Sequence, residues 1–269
     1  MTTLAAAVQL TCTSDRARND AAVDTLVRRA ARYGATLVCT PENTNFLGPH
    51  EEKVRTAEPL GGPTVTRYRD LARELGITLL IGSVNEAAPT PGKCFNTSVL
   101  IGPDGKIITF YRKIHLFDVD VSDDVRFMES DTVERGHELV VAATPHGMIG
   151  MSVCYDLRFP ELYRGLVDRG ARILTIPSAF TLTTGKDHWE PLVRARAIEC
   201  QAWVIAPGQV GHHDDRGLRH SWGHSMIVDP WGHVVGMAGD GEGLALAEID
   251  LERVERTRRG MPLAQHRRL

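Results

Sequence analysis

Cys154 closes an apolar run, Met148-Ile-Gly-Met-Ser-Val153, and a turn then leads to Pro160, which opens helical spacing through Tyr163, Leu166 and Val167. A cysteine at a strand-to-helix junction leaves the sheet at its edge, where the positive end of a helix favours thiolate over thiol. The chemistry open to it there is nucleophilic attack. Read alone, such a residue is more often a buried structural cysteine.

A nucleophilic thiol needs a base. His115, His188 and His224 stand in no pattern that fixes a partner, and His146 lies beyond Gly147 on the far side of the strand. Glu42 is the better candidate. It follows Pro41 at the end of the apolar run 35–40, the topological position that Cys154 occupies in the second half, where ligands gather in α/β sheets. A carboxylate among apolar neighbours can shuttle protons near neutrality, whereas a helix-capping or surface glutamate would not. Lys113 ends a further apolar segment, 107–113, and is either a solvated strand end or an electrophile aimed at the same cleft. Glu129 is unremarkable by itself.

Two rival chemistries fail on spacing. A cysteine phosphatase loop wants arginine six positions after the cysteine, and that position is Pro160. His212, His213, His220 and His224 gather with Asp214 and Asp215, but the stretch is glycine-rich and lacks the helical HExxH spacing, so it reads as a polar loop. No metal and no cofactor is expected.

The elements that must position these residues alternate strand and helix. A strand over 4–10 precedes Ser14-Asp15 as N-cap, and a helix with Ala21, Ala22, Leu26, Val27 and Ala30 on one face ends at Gly34. Strand 35–40, helix 64–75 stopped by Gly76, strand 77–84 and a hairpin-like passage over 95–111 follow. Residues 115–136 show little periodicity and read as a loop or covering flap. The second half repeats the rhythm: strands near 139–143 and 148–153, the helix from Pro160, strand 171–177, helix 186–201, strand 203–206 and a hairpin about Asp229-Pro-Trp-Gly232. Two mixed sheets, each covered by helices on its outer face, give the expected α/β class: a four-layer α-β-β-α sandwich, in one domain over 1–269.

Composition narrows the class of protein. Hydrophobic residues at 42% and charged ones at 24% fit a globular chain and exclude disorder as its main state. A net charge of -3 with dispersed basic residues argues against nucleic acid; Arg258, Arg259, Arg267 and Arg268 cap or follow a last helix. Five scattered cysteines without a Cys-x-x-Cys pair suit a reducing cytosol. No apolar run reaches membrane-spanning length and residues 4–8 are too short for a signal segment, so a soluble cytoplasmic protein with no membrane partner is expected.

Taken together, four blocks resemble the nitrilase superfamily of carbon-nitrogen hydrolases: Pro41-Glu42-Asn43, Tyr111-Arg-Lys113-Ile-His115-Leu-Phe117-Asp118, Arg126-Phe-Met-Glu129-Ser, and Val153-Cys154-Tyr-Asp-Leu-Arg158-Phe-Pro-Glu161-Leu. Further matches run through Pro177-Ser-Ala-Phe180, His188-Trp189-Glu190, Arg194-Ala-Arg196-Ala-Ile-Glu199 and Gly223-His224-Ser-Met-Ile-Val-Asp229, closest to the Nit branch. The resemblance implies a catalytic Glu42, Lys113 and Cys154. Glu42 would move protons, Cys154 would form a thioester, and Lys113 with the backbone N–H of Tyr155 would hold the oxyanion. Glu129 would position substrate or water. Arg158 would bind a substrate carboxylate, or instead pair with Asp156 or Glu161 to hold the turn. Phe180 and His188 are assigned to substrate binding by the same resemblance.

The implied substrate is a small primary amide bearing a carboxylate, hydrolysed with release of ammonia. Deaminated glutathione is the specific expectation, omega-amidase action on alpha-ketoglutaramate or succinamate the near alternative, and another amidase or carbamoylase activity a further one. Acyl transfer and a non-catalytic binding role rank lower. The helix of Arg194, Arg196 and Glu199 reads as an ion-paired face, and a comparable helix in the family implies a homodimer or higher homo-oligomer.

Overall fold

The strand Thr2–Gln9 lies between two others, antiparallel to Gly243–Asp250 on one side and parallel to Leu37–Cys39 on the other. Its residues 5–8, Ala-Ala-Ala-Val, are all buried, because both faces of the strand are covered. Alternate side chains serve different cores. Ala6 and Val8 join a cluster with Val23, Leu26 and Val27 of the helix Arg16–Arg32 and Val65, Tyr68 and Leu71 of the helix Pro63–Leu75. Ala5 and Ala7 join a second cluster that reaches Ile149, Met151, Val204 and Ile227 of another sheet. Small alanines at this level let the two sheets approach.

The computed structural model describes residues 2–122, 125–214 and 219–268. Among them, the first sheet runs in the order Gly243–Asp250, Thr2–Gln9, Leu37–Cys39, Thr78–Ala87, Cys94–Ile101 and Ile107–Arg112, with Val133–Glu134 paired to Cys94–Ile101 as a seventh strand. The six-stranded second sheet runs Val234–Met237, Met226–Val228, Trp203–Ala206, Ile173–Thr175, Gly147–Met151 and Val141–Thr144. Helices Pro160–Asp168 and Leu182–Cys200 cover its outer face through Leu162, Tyr163, Leu166, Trp189 and Val193. The layering is α-β-β-α with mixed sheets. No helix among the described residues is long and apolar enough to cross a membrane.

The expected caps form. Asp15 accepts from the Arg18 N–H at 3.0 Å, and Gly76 ends its helix at φ +63. Three features differ from the sequence reading. Residues 115–136, read as a loop or covering flap, contain regular structure: Asp118–Ser122 and Val125–Met128 form a two-stranded ribbon, followed by a single turn, Glu129–Asp131. The strand Gly243–Asp250 was not anticipated, although Ala245, Ala247 and Ile249 alternate inward. The helix Leu182–Cys200 starts before residue 186, where the Thr181 hydroxyl caps it by accepting from Thr184 N–H at 3.4 Å.

The connections bring chemistry from strand ends of both sheets. The chain leaving Leu37–Cys39 carries Glu42, that leaving Gly147–Met151 carries Cys154, and that leaving Ile107–Arg112 carries Lys113.

Candidate active site

Cys154 begins a 3-10 turn, Cys154–Arg158, with φ +50, a left-handed conformation that costs a non-glycine residue about 1–2 kcal/mol. The strain is held from several sides. Its N–H donates to Pro177 O at 2.9 Å, which ties the turn to the end of the neighbouring strand. Asp156, wholly buried, accepts from Val153 N–H at 2.8 Å, the Tyr111 hydroxyl at 2.7 Å, and both the backbone N–H (3.1 Å) and Nδ1 (2.7 Å) of His115. The His115 ring in turn stacks on Phe159 at 3.7 Å. Arg196 closes the other side by donating from Nε and a terminal nitrogen to Leu157 O at 3.0 and 2.7 Å.

Glu42 reaches the same point from the first sheet. A Cβ at Gly82 would lie 2.1 Å from Thr40 O and 2.3 Å from Pro41 O, so only glycine there lets the segment before Glu42 cross the next strand so closely. Glu42 Oε1 accepts from Lys113 Nζ at 3.0 Å and Asn96 Nδ2 at 2.9 Å, and Oε2 accepts from Ala179 N–H at 2.9 Å. Lys113 Nζ also donates to Glu129 Oε2 at 2.8 Å. Phe117 N–H at 2.7 Å and Asn96 Nδ2 at 3.2 Å complete the bonds to Glu129. Glu42, Lys113 and Glu129 are 3%, 2% and 7% exposed, so this is a buried ion network with two carboxylates on one ammonium.

Electrostatics follow from that arrangement. Burial pulls the Lys113 ammonium down, but the Glu129 and Glu42 carboxylates outweigh it and hold the group well above the ordinary lysine value. Burial pushes Glu129 up, yet Lys113 and Lys53 bring it down to about 2. Burial raises the Cys154 thiol well above its usual range, and the adjacent Glu42 carboxylate adds to this. The expectation that a helix end would favour thiolate is therefore overturned. A 3-10 turn follows the cysteine, the α-helix starts only at Pro160, and desolvation dominates.

A cavity opens onto these groups. Beside Glu42, Lys113, Glu129 and Cys154, its wall includes Tyr155, Arg158, Phe180, Phe117 and Phe127. Arg158 does not make the pair with Asp156 or Glu161 that was one alternative. Asp156 is taken by Tyr111 and His115, and among the described residues Arg158 meets no carboxylate. Its guanidinium lies over the Phe180 ring at 5.4 Å and that of Tyr155 at 5.9 Å. His188 is not part of the cavity wall; it is exposed, with Nδ1 3.4 Å from both terminal nitrogens of Arg158.

Several residues escaped sequence reasoning. Asn96 bridges both carboxylates, and Arg196, which makes the expected ion pair with Glu199 at 2.8 Å, is also a buried clamp on the cysteine turn. An asparagine inside an apolar strand and an arginine on the inner side of a helix were the available signals. His50 and Lys53, from the short helix His50–Arg55, and Arg219 also line the cavity, with no motif to announce them.

Among the described residues, the histidines around 212–224 are engaged with one another and with the backbone. His212 and His220 stack at 3.9 Å, His213 bonds Cys12 O and the Ser221 hydroxyl, and Asp215 lies outside the described residues. No group of three or more metal-ligating side chains occurs among the described residues.

A four-layer sandwich with cysteine, glutamate and lysine converging from strand ends of both sheets defines the nitrilase-fold class. The model for the carbon-nitrogen hydrolase family matches residues 4–259. The chain belongs to that family and is an enzyme, a hydrolase of carbon-nitrogen bonds. It is 44% identical to the deaminated glutathione amidase of Synechocystis sp. over 98% of this chain and 97% of that protein. It is 44% identical to the deaminated glutathione amidase of Homo sapiens, over 98% of this chain and 82% of that one. Among solved structures, the NitFhit protein of C. elegans superposes with a TM-score of 0.93 at 40% identity. The match covers 99% of this chain and 65% of that one.

Proposed function

We propose that the protein is an amidase that hydrolyses deaminated glutathione through a thioester on Cys154. The observation that carries the reading is the meeting of Cys154, Glu42 and Lys113 in one cavity whose wall also holds cations to receive a carboxylate. Identity of 44% with relatives of that name over nearly the whole chain supports the substrate.

The roles follow from the chemistry. A thiol held protonated by burial needs its base at the moment of attack, so Glu42 takes the Cys154 proton as sulfur adds to the amide carbonyl. Lys113 and the Tyr155 backbone N–H stabilise the resulting oxyanion. Glu42 returns the proton to the departing nitrogen, the C–N bond breaks and a thioester remains. Water, deprotonated by Glu42, adds to the thioester; collapse expels the thiolate, which recovers the proton. Glu129 fixes Lys113 and positions substrate or water, while Arg158 and Phe180 contact the substrate. His188 supports Arg158 from behind.

The scissile amide of deaminated glutathione is substituted. Its leaving group is the amine of cysteinylglycine, and the acyl group departs as 2-oxoglutarate; a primary amide would release ammonia instead. The test is 2-oxoglutarate formation from deaminated glutathione, beside ammonia formation from alpha-ketoglutaramate and succinamate. Preferred turnover of the first is expected. Faster turnover of either primary amide would make the protein an omega-amidase, and turnover of none would remove the amidase reading.

Three further parts of the reading belong here. Five free cysteines support a reducing, cytoplasmic location. Exposed Ile198 on the helix Leu182–Cys200 and exposed Trp231 support a homodimer through that face. The two shared hydrophobic clusters support one domain over residues 1–269. Sedimentation as a monomer would remove the dimer.

A further inference from the structure

The cavity holds a second buried lysine that the chemistry above does not use. Lys53 is 4% exposed and lines the cavity, and among the described residues its ammonium has no hydrogen-bond or ion-pair partner. An unpaired buried ammonium is costly. Lys113, by contrast, is bonded to both Glu42 and Glu129. The wall therefore carries Lys113, Lys53, Arg158 and Arg219 against Glu42 and Glu129, a surplus of positive charge facing the site.

The surplus lies in two places. Arg158 stacks on Phe180 and Tyr155, whereas Arg219 stacks on Phe127 at 5.2 Å and donates to His50 Nε2 at 2.6 Å. His50 shares the helix His50–Arg55 with Lys53 and touches Thr132 through Nδ1 at 3.2 Å. A guanidinium has only donors, so His50 accepts from Arg219 and is neutral there. It orients that cation and adds no charge. The Lys53 corner is thus built by different elements from those that carry Arg158.

Depth assigns the corner a ligand. In a thioester mechanism the acyl part of the substrate stays attached while the amine must leave toward solvent, so the more enclosed cation belongs to the acyl part. Lys53 is buried, while Arg158 is half-buried. We propose that Lys53 is a specificity-determining residue: its ammonium, with Arg219 beside it, binds the carboxylate on the acyl portion of the amide substrate. The inference rests on the amidase reading and deepens it, selecting acyl chains that end in a carboxylate.

The test compares glutaramate with pentanamide, which places a methyl group where glutaramate has its carboxylate. Affinities are measured calorimetrically on the Cys154→Ala protein, and again with Lys53→Met or Lys53→Arg added. Glutaramate is expected to bind about tenfold or more tightly than pentanamide, the worth of a charge-assisted hydrogen bond. Lys53→Met should bring glutaramate down to the level of pentanamide, and Lys53→Arg should restore part of the preference. Glutaramate affinity within twofold of the parent in Lys53→Met overturns the inference, as does no detectable binding to a parent protein that melts normally. Turnover by the protein with Cys154 intact is read separately. Lys53-dependent binding without turnover of any amide would sink the amidase reading alone; turnover without Lys53 dependence would sink this inference alone.

Discussion

Lys113 and Lys53 are two buried lysines of one cavity with opposite electrostatics. Lys113, 2% exposed, is clamped between Glu42 and Glu129, and its charge is held more firmly than in water. Lys53, 4% exposed, has burial as its dominant influence, and its ammonium is lowered from the ordinary lysine value; Glu129 at longer range offsets this only in part. Burial alone therefore does not say what a buried lysine does. The partner set decides: a cation satisfied by carboxylates forms a preorganised wall, and one without partners is ready for a ligand.

The largest expected effect tests whether the paired side of the cavity is the reacting side. Cys154→Ala should lower kcat/KM for amide hydrolysis by about 10⁴-fold or more, because no other group in the wall can form the thioester. Retention of a tenth of the activity would move the chemistry away from the Glu42–Lys113 wall. Next in size is Lys113→Met, which leaves Glu42 and Glu129 buried without their counter-ion. A stability loss of about 3–5 kcal/mol is expected in denaturant unfolding, the usual result of stripping one partner from a buried ion pair. If the loss were under about 1 kcal/mol, comparable to an exposed pair, the contrast between the two lysines would fail.

A smaller effect sharpens the same contrast through acid. Glu129 titrates near 2 in the folded protein, below the ordinary carboxylate value of 4.5. The unfolded chain therefore takes up this proton first as pH falls, and the stability the group contributes is complete above about 4.5 and lost as pH drops toward 2. The melting temperature of Glu129→Gln should accordingly depend less on pH across that window than the parent's. Parallel curves for the two proteins would mean that Lys113 does not hold Glu129 as described.

Much of this could be read from the chain, and the failures share a cause. Glu42, Lys113 and Cys154 were legible because each follows an apolar strand, which put them at strand ends, while the resemblance to the nitrilase superfamily singled them out; helix ends at Asp15 and Gly76 were legible through their cap chemistry. What was missed depends on contacts between distant segments. Lys53 sits in a polar stretch, His50-Glu-Glu-Lys-Val-Arg55, that reads as solvated until the fold buries it. Arg196 resembles one half of a surface pair with Glu199, and its bonds to Leu157 O span 39 residues. The strand Gly243–Asp250 is fixed by pairing with Thr2–Gln9 at the other end of the chain. The irregular look of 115–136 hid a ribbon whose register depends on backbone bonds rather than on an apolar face.

The smallest expected effect bears most directly on the unpaired lysine. At neutral pH the buried Lys53 ammonium disfavours the folded state, because its folded pKa lies below the unfolded one. The unfolded chain then holds more protons between the lowered folded value and the ordinary value of 10.5, so stability should rise with pH through that interval. Lys53→Met removes the charge while keeping most of the side-chain volume. In the absence of any carboxylate ligand it should melt about 2 °C higher than the parent at pH 7, the shift that roughly 1 kcal/mol produces in a chain of this size. The gain should shrink as pH approaches 10.5, where the parent's lysine loses its proton in both states. Lys113→Met should move in the opposite direction at pH 7. If Lys53→Met instead melted several degrees lower, its ammonium would have to be satisfied in the free enzyme, and the two lysines would be alike after all.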